Sequence, residues 1–121
     1  VDQYILDTDA SMCSIGAVLS QVLSGEERPI AYASRKLSRA ELNYCVTRKE
    51  LLAVVYFLKY FRHYLLGRQF QVRTDHAALR WLQKIPEQIG QQARWIGYMQ
   101  EFDFDISHRL GARYLDADAM S

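Results

Sequence analysis

The chain has little of what marks the more specialised protein classes. Two cysteines, Cys13 and Cys45, stand in 121 residues, in neither a CxxC pair nor a Cys/His cluster. That excludes a disulfide framework and a thiolate metal site, and leaves the expectation of two packed thiols in a reducing compartment. The longest apolar run, Leu51–Leu58, is eight residues, far short of the roughly 20 that a membrane-spanning helix needs. No signal-peptide pattern opens the chain, and no repeat, linker or low-complexity tract interrupts it. Val1 in place of Met points to a segment cut from a longer polypeptide.

Charge of one sign is also scarce, the net being +1. The distribution is uneven. Residues 1–34 carry one Arg and five acids, 35–84 eleven Lys/Arg and three acids, and 85–121 three Arg and six acids. A basic middle between acidic ends suits a phosphate-facing surface, and suits solvated helix decoration equally. With 50% hydrophobic and 24% charged residues, the composition is that of a globular chain forming one domain around one core.

The stretch Thr47–Gly67 organises the rest. Thr47 is a favourable N-cap and Gly67 a favourable C′ residue, so a helix is predicted between them. The unbroken run Leu51–Leu58, continued by Phe61 and Leu65 at helical spacing, requires a large packing partner such as a sheet. Glu50 falls in the expected first turn, on the side of Val54 and Phe57. Two readings stand for it. Thr47-x-x-Glu50 fits a capping box, and a carboxylate at the rim of a core fits a cation ligand.

Before the helix, residues 4–8, Ser14–Leu23 and Pro29–Arg35 read as a three-strand meander, joined by the Ala10–Cys13 link and a turn at Ser24–Glu27. Gly16 marks a bulge or close backbone approach. Beyond the helix come a strand at Phe70–Thr74, a short helix at Asp75–Gln83 stopped by Pro86, a helix at Ile89–Glu101 and a strand at Phe102–Ser107. A last helix is expected from Ala112, cut short at Ser121. This order predicts an α/β fold, a five-stranded mixed sheet flanked by helices.

On that plan four acids fall where strands end or helices begin: Asp9, Glu50, Asp75 and Asp118. Carboxylates gathered so closely repel one another unless divalent cations hold them. Two Mg2+ ions, with Mn2+ as substitute, are suited to in-line displacement at a phosphodiester.

The blocks TDAS (Thr8–Ser11), IGAVLSQ (Ile15–Gln21), YASRKLS (Tyr32–Ser38), NYCVTRKELLAVV (Asn43–Val55), RTDHAAL (Arg73–Leu79) and HRLGARYLDADAMS (His108–Ser121) occur in this order. Together they resemble the RNase H domain of gypsy-type LTR-retrotransposon reverse transcriptases. The resemblance implies an RNase H-like fold over residues 1–121 and endonucleolytic hydrolysis of the RNA strand of RNA/DNA hybrids. It assigns the metal-binding catalytic acids to Asp9, Glu50, Asp75 and Asp118, and proton transfer or product release to His108. It implies the upstream polymerase region as a partner, no membrane, and an intracellular setting in a cytoplasmic particle or the nucleus. Two departures are visible: Tyr114 and Asp116 replace a His-x-Asn pattern, and the Arg that usually follows the final Ser is absent.

Other residues have plainer roles. Asp7 is expected to be a supporting or surface acid, His63 and His76 structural, and Trp81 and Trp95 core or groove lining. The expected hybrid-facing edge comprises Ala10, Ser11, Thr47 and Arg48. The basic helix-and-loop handle that cellular RNases H of this fold carry does not fit the five residues Lys84–Gln88, so weak hybrid binding is expected. Two competing readings are an integrase-type core, which needs its Glu late in the chain, and a catalytically silent tether module, which would show missing acids.

Overall fold

Apolar residues alternating with polar ones drive the first third of the chain into an antiparallel meander. The computed structural model describes residues 3–74 and 91–108. In it β1 (Gln3–Ala10), β2 (Ser14–Leu23) and β3 (Glu26–Lys36) pair in sequence. The β2–β3 connection is the two-residue Ser24-Gly25 loop, with φ of 53° and 77°. Both residues are left-handed, which fits a hairpin turn that follows the twist of the strands. Glu26 and Glu27, expected in the turn, already pair with Leu23 and Val22.

The described strands form one sheet in the order β3-β2-β1-β4-β5, where β4 is Gln69–Thr74 and β5 is Asp103–His108. Strands β1, β4 and β5 are mutually parallel, so the sheet is mixed, as predicted. Pro29 is tolerated because β3 lies at the sheet edge and the register shifts between Leu19 and Ser20 there, leaving room for a residue without an amide hydrogen. The expected irregularity at Gly16 is not found. Gly16 pairs regularly with Asp9 and Ser34, and the bulge lies four residues further on.

The crossover from β3 passes through a single 3-10 turn, Glu41–Asn43, into α1 (Val46–Tyr60). Leu51, Ala53, Val54, Phe57 and Leu58 are all essentially inaccessible. They share one core with Leu6, Ile15, Ala17, Leu19, Phe70 and Val72 of the sheet. The predicted single helix to Gly67 is in fact two. It breaks at Phe61 (φ −101°, ψ 20°), and a short α2 (Arg62–Leu65) follows. The break keeps both Phe61 and Leu65 buried while Arg62 and His63 face solvent. Gly67, at φ 82°, then ends the segment as expected. Helix α3 (Gln91–Met99) adds Trp95 and Met99 to the core. The short helix at Asp75–Gln83, its stop at Pro86 and the helix from Ala112 lie outside the described residues. None of the described helices is long and apolar enough to cross a membrane.

Cys13 and Cys45 correct another expectation. Both are free and exposed, because one lies in the β1–β2 link and the other just before α1, where neither faces the core.

A polar clamp holds the exit of β3 against α1. The Arg35 guanidinium donates to both Glu41 carboxylate oxygens, at 2.9 and 3.1 Å, and lies 4.5 Å from the centre of the Tyr56 ring on α1. The Ser38 amide donates to the same carboxylate at 2.8 Å. The Arg35 hydrogen bond, with help from Ser38, holds the Glu41 carboxyl below its ordinary value of 4.5 against the opposing effect of burial. A group whose folded pKa is depressed stabilises the fold above the unfolded value. Glu41→Gln should therefore cost about 1 kcal/mol near neutral pH. The difference between the two proteins should vanish as pH falls below 4.5 and through the lower folded value. Denaturant melts of both proteins from pH 7 to pH 3 check this.

Candidate active site

Because β1, β4 and β5 run parallel, their C-terminal ends reach the same edge of the sheet, the usual place for a site in α/β folds. There β1 closes with Asp9 and Ala10, β4 with Thr74 and β5 with His108. Thr74 and His108 are backbone partners, as are Asp7 and Arg73 one strand over. The start of α1 is tied to the same edge. Lys49 Nζ donates to the Met12 carbonyl at 2.9 Å, bridging the helix to the β1–β2 link.

The cap of α1 sets where Glu50 stands. Cys45, extended at φ −67° and ψ 165°, is the N-cap, and its carbonyl accepts from the Lys49 amide at 3.0 Å. Thr47 is therefore the second helical residue, not the cap, and no side chain caps the helix. The capping box, one of the two readings of Thr47-x-x-Glu50, does not form. Glu50 is the fifth residue of α1, at the start of the second turn, and its side chain is buried at 7% exposure.

Of the predicted site residues, Asp9 stands half-buried in β1 opposite Gly16, and Glu50 follows Lys49, which ties α1 to the β1–β2 link. Asp75 follows Thr74 in the chain and, with Asp118, lies outside the described residues. The backbone of His108 ends β5. Among the described residues no three His, Cys, Asp or Glu side chains group closely enough to hold a metal ion. The donors that are described suit a hard cation: carboxylate oxygens, of which Mg2+ takes one or two from protein alongside substrate phosphates.

The expected substrate edge is partly a built surface. Ala10 and Ser11 line a pocket of about 240 Å³ together with Met12, Val46 and Lys49. Ser11 fixes the link: its amide donates to the Ser14 carbonyl at 2.8 Å and its hydroxyl hydrogen-bonds the Ser14 hydroxyl at 2.9 Å. Thr47 is half-buried in the first turn. The Arg48 guanidinium lies 4.1 Å from the Tyr44 ring centre and 5.9 Å from that of Trp95, which joins the start of α1 to α3.

Sequence reasoning passed over one cluster. Asp7 is not a surface acid but a buried one, 3% exposed, paired with Arg73, which also reaches Glu27. A signal was available: strand alternation puts Asp7 on the face of the buried Ile5, where an acid requires a cationic partner.

The sheet order and the crossover helix define an RNase H-like domain. The fold is that of RNase H1 from the archaeon Halobacterium salinarum, with a TM-score of 0.66, 18% identity and coverage of 98% of this chain and 92% of that one. The foamy viral protease-reverse transcriptase in complex with dsDNA has the same fold over 90% of this chain and 24% of its own, with a TM-score of 0.66 and 22% identity. Residues 2–102 match the family model of the RNase H-like domain found in reverse transcriptase, and the chain belongs to that family. It is 45% identical over 119 residues to the retrovirus-related Pol polyprotein from transposon 297 of Drosophila melanogaster, covering 98% of this chain and 11% of the polyprotein. It is 41% identical over 124 residues to the transposon Tf2-3 polyprotein of Schizosaccharomyces pombe, covering 98% of this chain and 9% of that protein. The chain thus spans about a tenth of the length of these retrotransposon relatives.

The cap assignment has a direct consequence. Cys45→Ser should stabilise the domain by about 0.5–1 kcal/mol, because a hydroxyl at the N-cap accepts from the first-turn amides. Thr47→Ala, inside the helix, should change stability by no more than about 0.5 kcal/mol, as most substitutions away from caps and core do. Thermal melts of the two variants test the order of these effects.

Proposed function

We propose that this domain hydrolyses the RNA strand of RNA/DNA hybrids by two-metal-ion catalysis during reverse transcription. What supports the reading is that Asp9 is the penultimate residue of β1, that Lys49, next to the buried Glu50, ties α1 to the link after that strand, and that the parallel strand β4 ends one residue before Asp75 in the chain. In this reading Asp9, Glu50, Asp75 and Asp118 hold two Mg2+ ions, for which Mn2+ substitutes. When bound, the ions lower the pKa of an attacking water and neutralise charge on the leaving 3′ oxygen.

The chain's own residues do the remaining work. Burial of Glu50 against the core restricts the positions its carboxylate can take. His108, whose backbone partners Thr74, is assigned to proton transfer or product release. Ala10, Ser11, Thr47 and Arg48 are assigned to the hybrid, with the neighbouring pocket admitting backbone or sugar groups. Discrimination for RNA rests on 2′-hydroxyls in the wide minor groove, where sequence is poorly read. A related fold offers support: the foamy viral protease-reverse transcriptase is known in complex with an RNA/DNA hybrid. The polymerase region of the parent polyprotein is the proposed partner, supplying affinity by tethering.

The test is cleavage of a labelled RNA/DNA hybrid with Mg2+, beside dsDNA and dsRNA controls. The expected result is metal-dependent cleavage of the hybrid alone. Asp9→Asn and Glu50→Gln should each lower the rate by at least about 10²-fold while the fold persists, since misplacing a reacting group by about 1 Å already costs that much. Near-normal rates in both folded variants contradict the assignment. A wild-type chain that binds hybrid and never cleaves it indicates a tether module instead.

A further inference from the structure

We propose that Asp7 and Arg73 are positioning residues that hold β1 and β4 in the register the acidic edge requires, an inference that rests on the function proposed above. Arg73 Nε donates to Asp7 Oδ1 at 2.7 Å and Nη2 to Asp7 Oδ2 at 2.9 Å, a two-pronged pairing of planar groups. The same guanidinium donates from Nη1 to Glu27 Oε2 at 3.5 Å and from Nη2 to Glu27 Oε1. One cation thus joins β4, β1 and the far strand β3.

The location of this cluster is specific. Asp7 and Arg73 are also backbone partners, the last described rung of the parallel β1–β4 ladder on the side of the site. Two residues further along β1 is Asp9, and two residues further in the chain after Arg73 is Asp75. A fork with fixed donor geometry at this rung limits both sliding and splaying of the strands where they leave the ladder. Arg serves here and Lys does not, because a single ammonium cannot fix two oxygens in a plane.

Stability does not account for the cluster. The side chains of Arg73 and Asp7 are only 8% and 4% exposed, and desolvating such a pair offsets most of its attraction. A hydrophobic pair of similar volume would serve the core as well. What it could not supply is a directional tie between the two strands.

The test compares wild type with Arg73→Lys and with the double variant Asp7→Leu/Arg73→Met, which removes both buried charges together. If the cluster positions the edge, the double variant keeps or raises its melting temperature. In the metal-free protein its Thr8 and Asp9 amides exchange with solvent about tenfold faster, and Mg2+ raises its melting temperature less than that of wild type. Hydrolysis of hybrid loses about 10- to 10²-fold in kcat at unchanged KM, with half-activation at higher Mg2+, and Arg73→Lys follows the same pattern. Folded variants with wild-type exchange, Mg2+ response and kcat overturn the inference and leave the proposed function standing. A wild-type chain that neither cleaves hybrid nor responds to Mg2+ overturns both.

Discussion

Leu51–Leu58 makes α1 apolar around most of its circumference, and the burial of that run is the constraint from which the rest of the structure follows. Each large aliphatic or aromatic side chain taken from water contributes about 1.5–3 kcal/mol, and Leu51, Val54, Phe57 and Leu58 are all at 1% exposure or less. Only a broad sheet offers enough apolar surface, and Leu6, Ile15, Leu19, Phe70 and Val72 supply it from alternating positions on β1, β2 and β4, together with Ala33 of β3. Because α1 is the crossover to β4, packing it on the sheet also makes β4 parallel to β1. The shared strand-end edge is a consequence of that connection.

The same packing puts polar groups where they are costly. Glu50 is carried to the rim of the core by the helix that the apolar run anchors, and Asp7 is carried inward by the alternation that buries Ile5. The two acids are handled differently. Asp7 is matched by a guanidinium fork. Glu50 sits beside Lys49, whose ammonium is engaged with the Met12 carbonyl and so ties the helix start to the β1–β2 link.

Much of this was readable in the chain, and the misses have physical causes. Period-two alternation located β2 to the residue and β1, β4 and β5 to within two. β3 begins three residues before the expected Pro29, since Glu26–Arg28 pair in the sheet without apolar alternation to announce it. The start of α1 was misread because Thr47-x-x-Glu50 mimics a capping box while the true N-cap, Cys45, has no strong capping propensity. The break at Phe61 involves neither Gly nor Pro and is a product of tertiary packing. Asp9, Glu50 and Asp75 emerged as candidates from their positions at element ends, and Asp118 likewise. Their catalytic roles, and that of His108, came from resemblance to a family. The Arg73 cluster depends on which strands become neighbours, and single-strand patterns carry no such information.

In the proposed function Asp9 and Glu50 share one cation site at the edge formed by β1, β4 and the start of α1. Titrating the isotope-labelled domain with Mn2+ and following paramagnetic broadening of its amide resonances tests this most directly, since the effect reports proximity to the ion without requiring turnover. Broadening should begin together at Asp9, Ala10, Glu50 and Thr74, and excess Mg2+ should reverse it. Broadening that begins instead at the acidic stretch Glu101–Asp105 or at Glu26–Glu27, with the edge unaffected, would contradict it.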